Sequence, residues 1–125
     1  MSIVTVEKLT DLLFDDLNRI ASIINTLNSG NFLMTYYVNK SKDKMTAKGE
    51  KAAKKISDKY IELIKDANNL NNAINKAIAD PDPARHMALR PNKRGMITTR
   101  WAGEIEELME KVDKLTEKRM SFRAH

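Results

Sequence analysis

The sequence predicts an all-α protein: three or four amphipathic helices in an antiparallel bundle or a coiled-coil-like hairpin. Three observations carry this. Ile56, Tyr60, Leu63, Ala67, Leu70, Ile74 and Ala77 are spaced by four, three, four, three, four and three residues, the repeat of a helical seam that must bury against other helices. Glycine and proline together number seven in 125 residues, too few for a turn-rich β fold. The composition, 42% hydrophobic and 31% charged, suits a folded chain that builds its own core.

The first helix is expected over residues 5–28. Val6, Leu9, Leu13, Leu17, Ile20, Ile24 and Leu27 follow helical spacing, and Leu12, Phe14 and Ile23 widen the stripe. Glu7, Asp11, Asp15 and Asp16 crowd its first half, the sign that suits the positive end of a helix dipole. Ser29 and Gly30 read as its stop, with Gly30 as a left-handed cap.

Asn31 then caps a second helix whose apolar side is Phe32, Leu33, Tyr36 and Tyr37. Eight lysines lie from Lys40 to Lys59. A helix starting at Thr46 would carry four of them in its first three turns, the wrong sign for that end. The expectation is therefore one long helix over 31–79, with 40–49 as the place for a break and Gly49 as the weak point; the firm part is 46–79. Asp80, Pro81, Asp82 and Pro83 end it. A basic connection covers 80–96. The last helix spans 97–121, with Ile97, Trp101, Ile105, Leu108, Val112 and Leu115 as its stripe, acids leading and Lys114, Lys118 and Arg119 trailing. The whole chain, 1–125, reads as a single helical domain without internal repeats.

Chemistry is sparse. The histidines are His86 and His125, no serine has an evident histidine base, and neither histidine has a glutamate three residues before it as di-iron bundles do. There is no cysteine, so disulfides and thiolate zinc sites are excluded. Asp80, Asp82 and His86 read as a helix stop and a solvated histidine rather than a metal site, and no glycine-rich phosphate loop occurs. No enzyme activity, cofactor or metal is expected. Trp101-Ala102-Gly103 has the Trp-x-Gly form of small secreted helical hairpins, but there the motif lies in the turn between two helices, and here it opens the last helix. Trp101 is read instead as a core anchor.

The net charge of +5 points mildly to acidic partners. Two basic features are candidate contacts for a partner or for phosphate: Lys51 and Lys55 on the lysine-rich stretch, and Arg85, Arg90, Lys93, Arg94 and Arg100 on the connection, which hold five positive charges with no acid among them. Lys93 and Arg94 could hold phosphate together with the free amides near Thr98 and Thr99, while Met87 and Leu89 tack the loop down. No apolar run approaches the roughly 18 residues of a membrane span, and acids occupy the place of a signal peptide's basic region, so a cytoplasmic location is expected. The function expected is a non-enzymatic protein-interaction or assembly module (scaffold, adaptor or inhibitor) that forms homo-oligomers with apolar stripe left over from its core. The alternative is a nucleic-acid-binding protein using the Lys40–Lys59 ridge and the Arg85–Arg100 loop.

Overall fold

A computed structural model describes residues 4–124. Three helices run up, down and up: α1 (Val6–Ser41), α2 (Ala47–Ile78) and α3 (Ala102–Ser121), each touching both others. No strand forms among the described residues; one bridge pairs Met87 with Thr99. The fold class is the one the periodicities predict.

All three seams are heptads. α1 buries Leu9, Leu13, Asp16, Ile20, Ile23, Leu27, Gly30 and Met34. α2 buries Gly49, Ala53, Ile56, Tyr60, Leu63, Ala67, Ile74 and Ala77, with Leu70 partly covered. Trp101, just before α3, and the α3 residues Ile105, Leu108, Val112 and Leu115 complete the core. Each set alternates steps of four and three, the 3.5-residue period that keeps a seam facing its neighbours. The α1 stripe read from sequence was broader and partly misplaced: Leu17 and Ile24 flank the core, Asp16 and Ile23 sit in it, and Val6 and Phe14 face solvent.

Helix boundaries differ from expectation in three places. First, α1 does not stop at Ser29-Gly30. It continues through both to Ser41, and the 31–79 helix does not exist. Gly30 is no cap but a contact: a Cβ there would lie 2.5 Å from Tyr60 Oη, so glycine is what lets the Tyr60 ring lie against the helix backbone. Second, the chain reverses at 42–46 through a short 3-10 turn, Lys42–Lys44, and α2 begins at Thr46 after all. Thr46 Oγ1 accepts the Gly49 amide at 3.1 Å. A cap of this kind is worth about 1 kcal/mol, and only a reversal lets the two long seams bury each other. Exposed lysines near a helix start cost a few tenths of a kcal/mol each and are screened by salt, so they lose. Third, α3 starts at Ala102 rather than 97; Ile97 lies outside it and is exposed.

The connection between α2 and α3 is an ordered arm. Pro83–His86 makes a 3-10 turn that packs on α1 and α2. Two antiparallel segments follow: the Arg100 amide donates to the His86 carbonyl at 3.0 Å, Ala88 to Thr98 at 2.8 Å and Asn92 to Met96 at 2.9 Å. Asn92 to Gly95 closes the far end, where Gly95 has φ +75°, a left-handed conformation that glycine adopts without strain. Asn92 Oδ1 accepts the amides of Arg94 and Met96, each at 2.9 Å. Loop composition alone does not reveal this pairing, because the turn residues that make it are those of any loop.

Candidate functional site

Side chains at the base of the arm hold it to the bundle. Thr99 Oγ1 donates to the buried Asp16 carboxylate, and Arg19 stands 3.8 Å away. Burial pushes the Asp16 carboxyl above its ordinary range; the Thr99 bond and Arg19 oppose this. His86 Nε2 lies 2.9 Å from Asp80 Oδ2, and the His86 ring stacks on Trp101 with centroids 5.8 Å apart. Arg100 covers Trp101, its guanidinium 4.5 Å from the ring centroid. Asp80 also accepts the Asp82 amide at 2.9 Å, and that bond, followed by His86, holds its carboxyl below the usual range.

Asp80 therefore divides its two oxygens between His86 Nε2 and the Asp82 amide. Asp82 joins through its backbone, and the described residues contain no cluster of three or more metal-ligating side chains. His86 Nδ1 is buried without a hydrogen-bond partner, so the ring has no second nitrogen open to a substrate. Trp101 is buried in the core, as expected of an anchor.

The basic candidates fall into two separate places. Arg90, Lys93 and Arg94 lie on the exposed arm, Lys93 and Arg94 at its closed end, and none forms an ion pair among the described residues. Arg85 stands 3.9 Å from Asp80, and Arg100 is committed to Trp101. Lys51 and Lys55 are exposed on α2 near its start. From Lys55 to the end of α2 at Ile78 the axis runs roughly 35 Å at 1.5 Å per residue, so the two groups sit at opposite ends of the bundle. The lysines from Lys40 to Lys59 are themselves split between α1, the turn and α2. The pairing within the arm also sets Lys93 and Arg94 at the end farthest from Thr98 and Thr99. Leu89 does not tack the arm down: it is fully exposed, while Met87 packs against the core.

The most distinctive surface was not singled out from sequence. Between Arg19 and Lys40, α1 carries no charged residue over twenty positions. In α3, ten of twenty residues are charged. The uncharged stretch is not simply buried, because its outer side faces solvent: Ala21, Ser22, Asn25, Asn28, Ser29, Phe32, Thr35, Tyr36 and Asn39 are all exposed. Phe32 is 70% exposed and Tyr36 53%. Phe32, Leu33 and Tyr36, expected to make the apolar side of a core helix, point outward because the seam at this level is filled by Gly30 and Met34. Tyr37 lies at the edge, its ring against Phe122 at 5.8 Å and its hydroxyl accepting the Ala124 amide at 3.2 Å. A groove of about 300 Å³ runs beside it between Leu33, Tyr36, Tyr37, Arg119, Met120 and Phe122. The missing charge is the signal that could have found this face; counting apolar residues alone does not separate a core stripe from a docking stripe.

Comparison with protein-family models, with curated proteins and with solved structures finds no match. No helix among the described residues is long and apolar enough to cross a membrane.

Proposed function

We propose that the chain is a non-enzymatic helical interaction module that binds protein through the outer face of α1. The observation that carries this is the uncharged, exposed surface from Ala21 to Asn39 with Phe32, Leu33 and Tyr36 at one end. Solvated faces of helices are normally charged, as those of α3 and of α2 up to Asp66 are. Interfaces are depleted in charge at their centres and enriched in aromatic residues. The Asp80–His86 pair, stacked against Trp101, fits a structural role in the connection.

A photo-crosslinking side chain at Phe32, in cells expressing the protein, tests this. Protein adducts of defined mass are expected from Phe32 and not from the same group at Asp58 on the outer side of α2. No adduct at Phe32, or the same adducts from both positions, contradicts it.

A second reading rests on the arm. Its order, its acid-free surface and the exposed Leu89 fit a basic finger that contacts nucleic acid, with Arg90, Lys93 and Arg94 on phosphates. Binding of mixed-sequence DNA or RNA should then fall steeply with salt, and alanine at these three positions should flatten the slope by about one unit per lost contact. No binding at low salt removes this alternative.

A further inference from the structure

We infer that the occupant of the α1 face is a second copy of this chain, with the two α1 helices antiparallel about a two-fold axis at Asn25. This rests on the interaction-module proposal and names its partner. The first argument is register. In the heptad fixed by the buried seam, Asn18, Asn25, Phe32 and Asn39 lie directly opposite the core, flanked by Phe14, Ala21 and Asn28 on one side and by Asp15, Ser22, Ser29 and Tyr36 on the other. A two-fold axis at Asn25 sets Phe14 of one copy against Tyr36 of the other, and Asn18 against Phe32. Ala21 then meets Ser29. The two exposed aromatic positions at the ends, Phe14 at 46% and Tyr36 at 53% exposure, thus meet twice, while the small side chains at the centre let the backbones approach. A two-fold contact requires such self-complementarity, because one patch must serve both sides.

The second argument is charge. The uncharged stretch lies between Arg19 and Lys40; Arg19 is turned to Asp16 at 3.8 Å, whereas Asp11 and Asp15 further back and Lys40 at the other end form no ion pair among the described residues. The antiparallel pairing sets Lys40 of one copy level with Thr10 of the other, one residue from Asp11, so the long lysine side chain can reach that carboxylate at both ends. A parallel pairing would place Asp11 on Asp11 and Lys40 on Lys40, which like-charge repulsion disfavours. The orientation is therefore selected by charges that flank the patch.

The chain contains no cysteine, so introduced thiols report on the pairing alone. Asn25→Cys sits on the axis and is expected to form a disulfide-linked dimer under mild oxidation, at least tenfold more than Asp58→Cys on α2. Phe14→Cys and Tyr36→Cys are each expected to link poorly to themselves and well to each other when mixed. All these positions are exposed, so folding is checked by unchanged circular dichroism. An Asn25→Cys chain that stays monomeric overturns the inference, and so does a Tyr36→Cys chain that links to itself as efficiently. If Asn25→Cys fails while the Phe32 crosslinker captures a different protein, the self-pairing falls and the interaction module stands. If both fail, both fall.

Discussion

Gly30→Ala is the substitution whose sign separates a structural contact from a helix stop. In an exposed helix the change would stabilise by about 1 kcal/mol, since alanine is the better helix former. Here the new Cβ would lie 2.5 Å from Tyr60 Oη, 2.7 Å from Cε1 and 2.8 Å from Cζ. Tyr60 is 1% exposed, and its hydroxyl accepts Arg119 Nε at 2.9 Å, so the ring has little room to retreat. Overpacking of this kind costs about 1–3 kcal/mol. Disturbing the Arg119 bond adds about 0.5–1.5 kcal/mol. The net expectation is a loss of roughly 1–2 kcal/mol, a fall of about 3–8 °C in melting temperature for a chain of this size. Urea unfolding followed by circular dichroism at 222 nm measures it. Tyr60→Phe in the Gly30→Ala background removes the nearest atom and should recover part of the loss, giving a favourable coupling between the two sites. A Gly30→Ala chain more stable than the parent would refute the packing described for the α1–α2 contact.

Other outcomes follow from the same geometry. Leu63→Ala should cost about 2–5 kcal/mol, because Leu63 is fully buried, and Leu70→Ala less, because Leu70 is only partly covered. Lys51→Ala and Lys55→Ala should change unfolding free energy by no more than about 0.5 kcal/mol, and equal effects from leucines and lysines would mean α2 faces the wrong way. Thr99→Val leaves the buried Asp16 carboxylate without its hydroxyl donor and should cost about 1–3 kcal/mol in the same assay. Asp16 and Asp80 should give opposite pH slopes. The Asp16 pKa is raised on folding, so its contribution is full below the ordinary carboxylate value and is lost as pH rises through the folded value; Asp16→Asn removes that decline. The Asp80 pKa is lowered, so its contribution is present above the ordinary value and is lost as pH falls through the folded one; Asp80→Asn removes that acid-side loss. Unfolding curves collected across pH for the parent and each variant would show both, and slopes of the reverse sign would contradict the assignments.

The fold was legible where periodicity and capping agree. The α2 seam, its stop at Asp80-Pro81, the all-α class and the antiparallel bundle follow from spacing and proline alone. What misled at Gly30 is that a glycine ending a helix and a glycine admitting a ring look identical in one dimension; only Tyr60, thirty residues on, distinguishes them. At Thr46 a local electrostatic preference was outweighed by burial of two whole seams, an energy that no local window contains. Asp16 was hidden because a carboxylate at a core position reads as surface until its partner Thr99, from the far end of the chain, is in place. Of the basic candidates, the sequence located the arm but not its pairing, and it joined by composition two groups that the helices hold roughly 35 Å apart. The α1 face was written in the sequence as twenty residues without charge, a pattern defined by what is missing.

Light scattering on the purified chain and on its Phe32→Glu, Tyr36→Glu variant tests the central claim most directly. Both side chains are exposed and outside the core, so the variant should keep the helical circular dichroism of the parent. The account predicts a parent mass of twice the 14.3 kDa chain and a variant mass of 14.3 kDa at the same concentration. A parent that remains at 14.3 kDa at high concentration, or a variant that associates as the parent does, would contradict it.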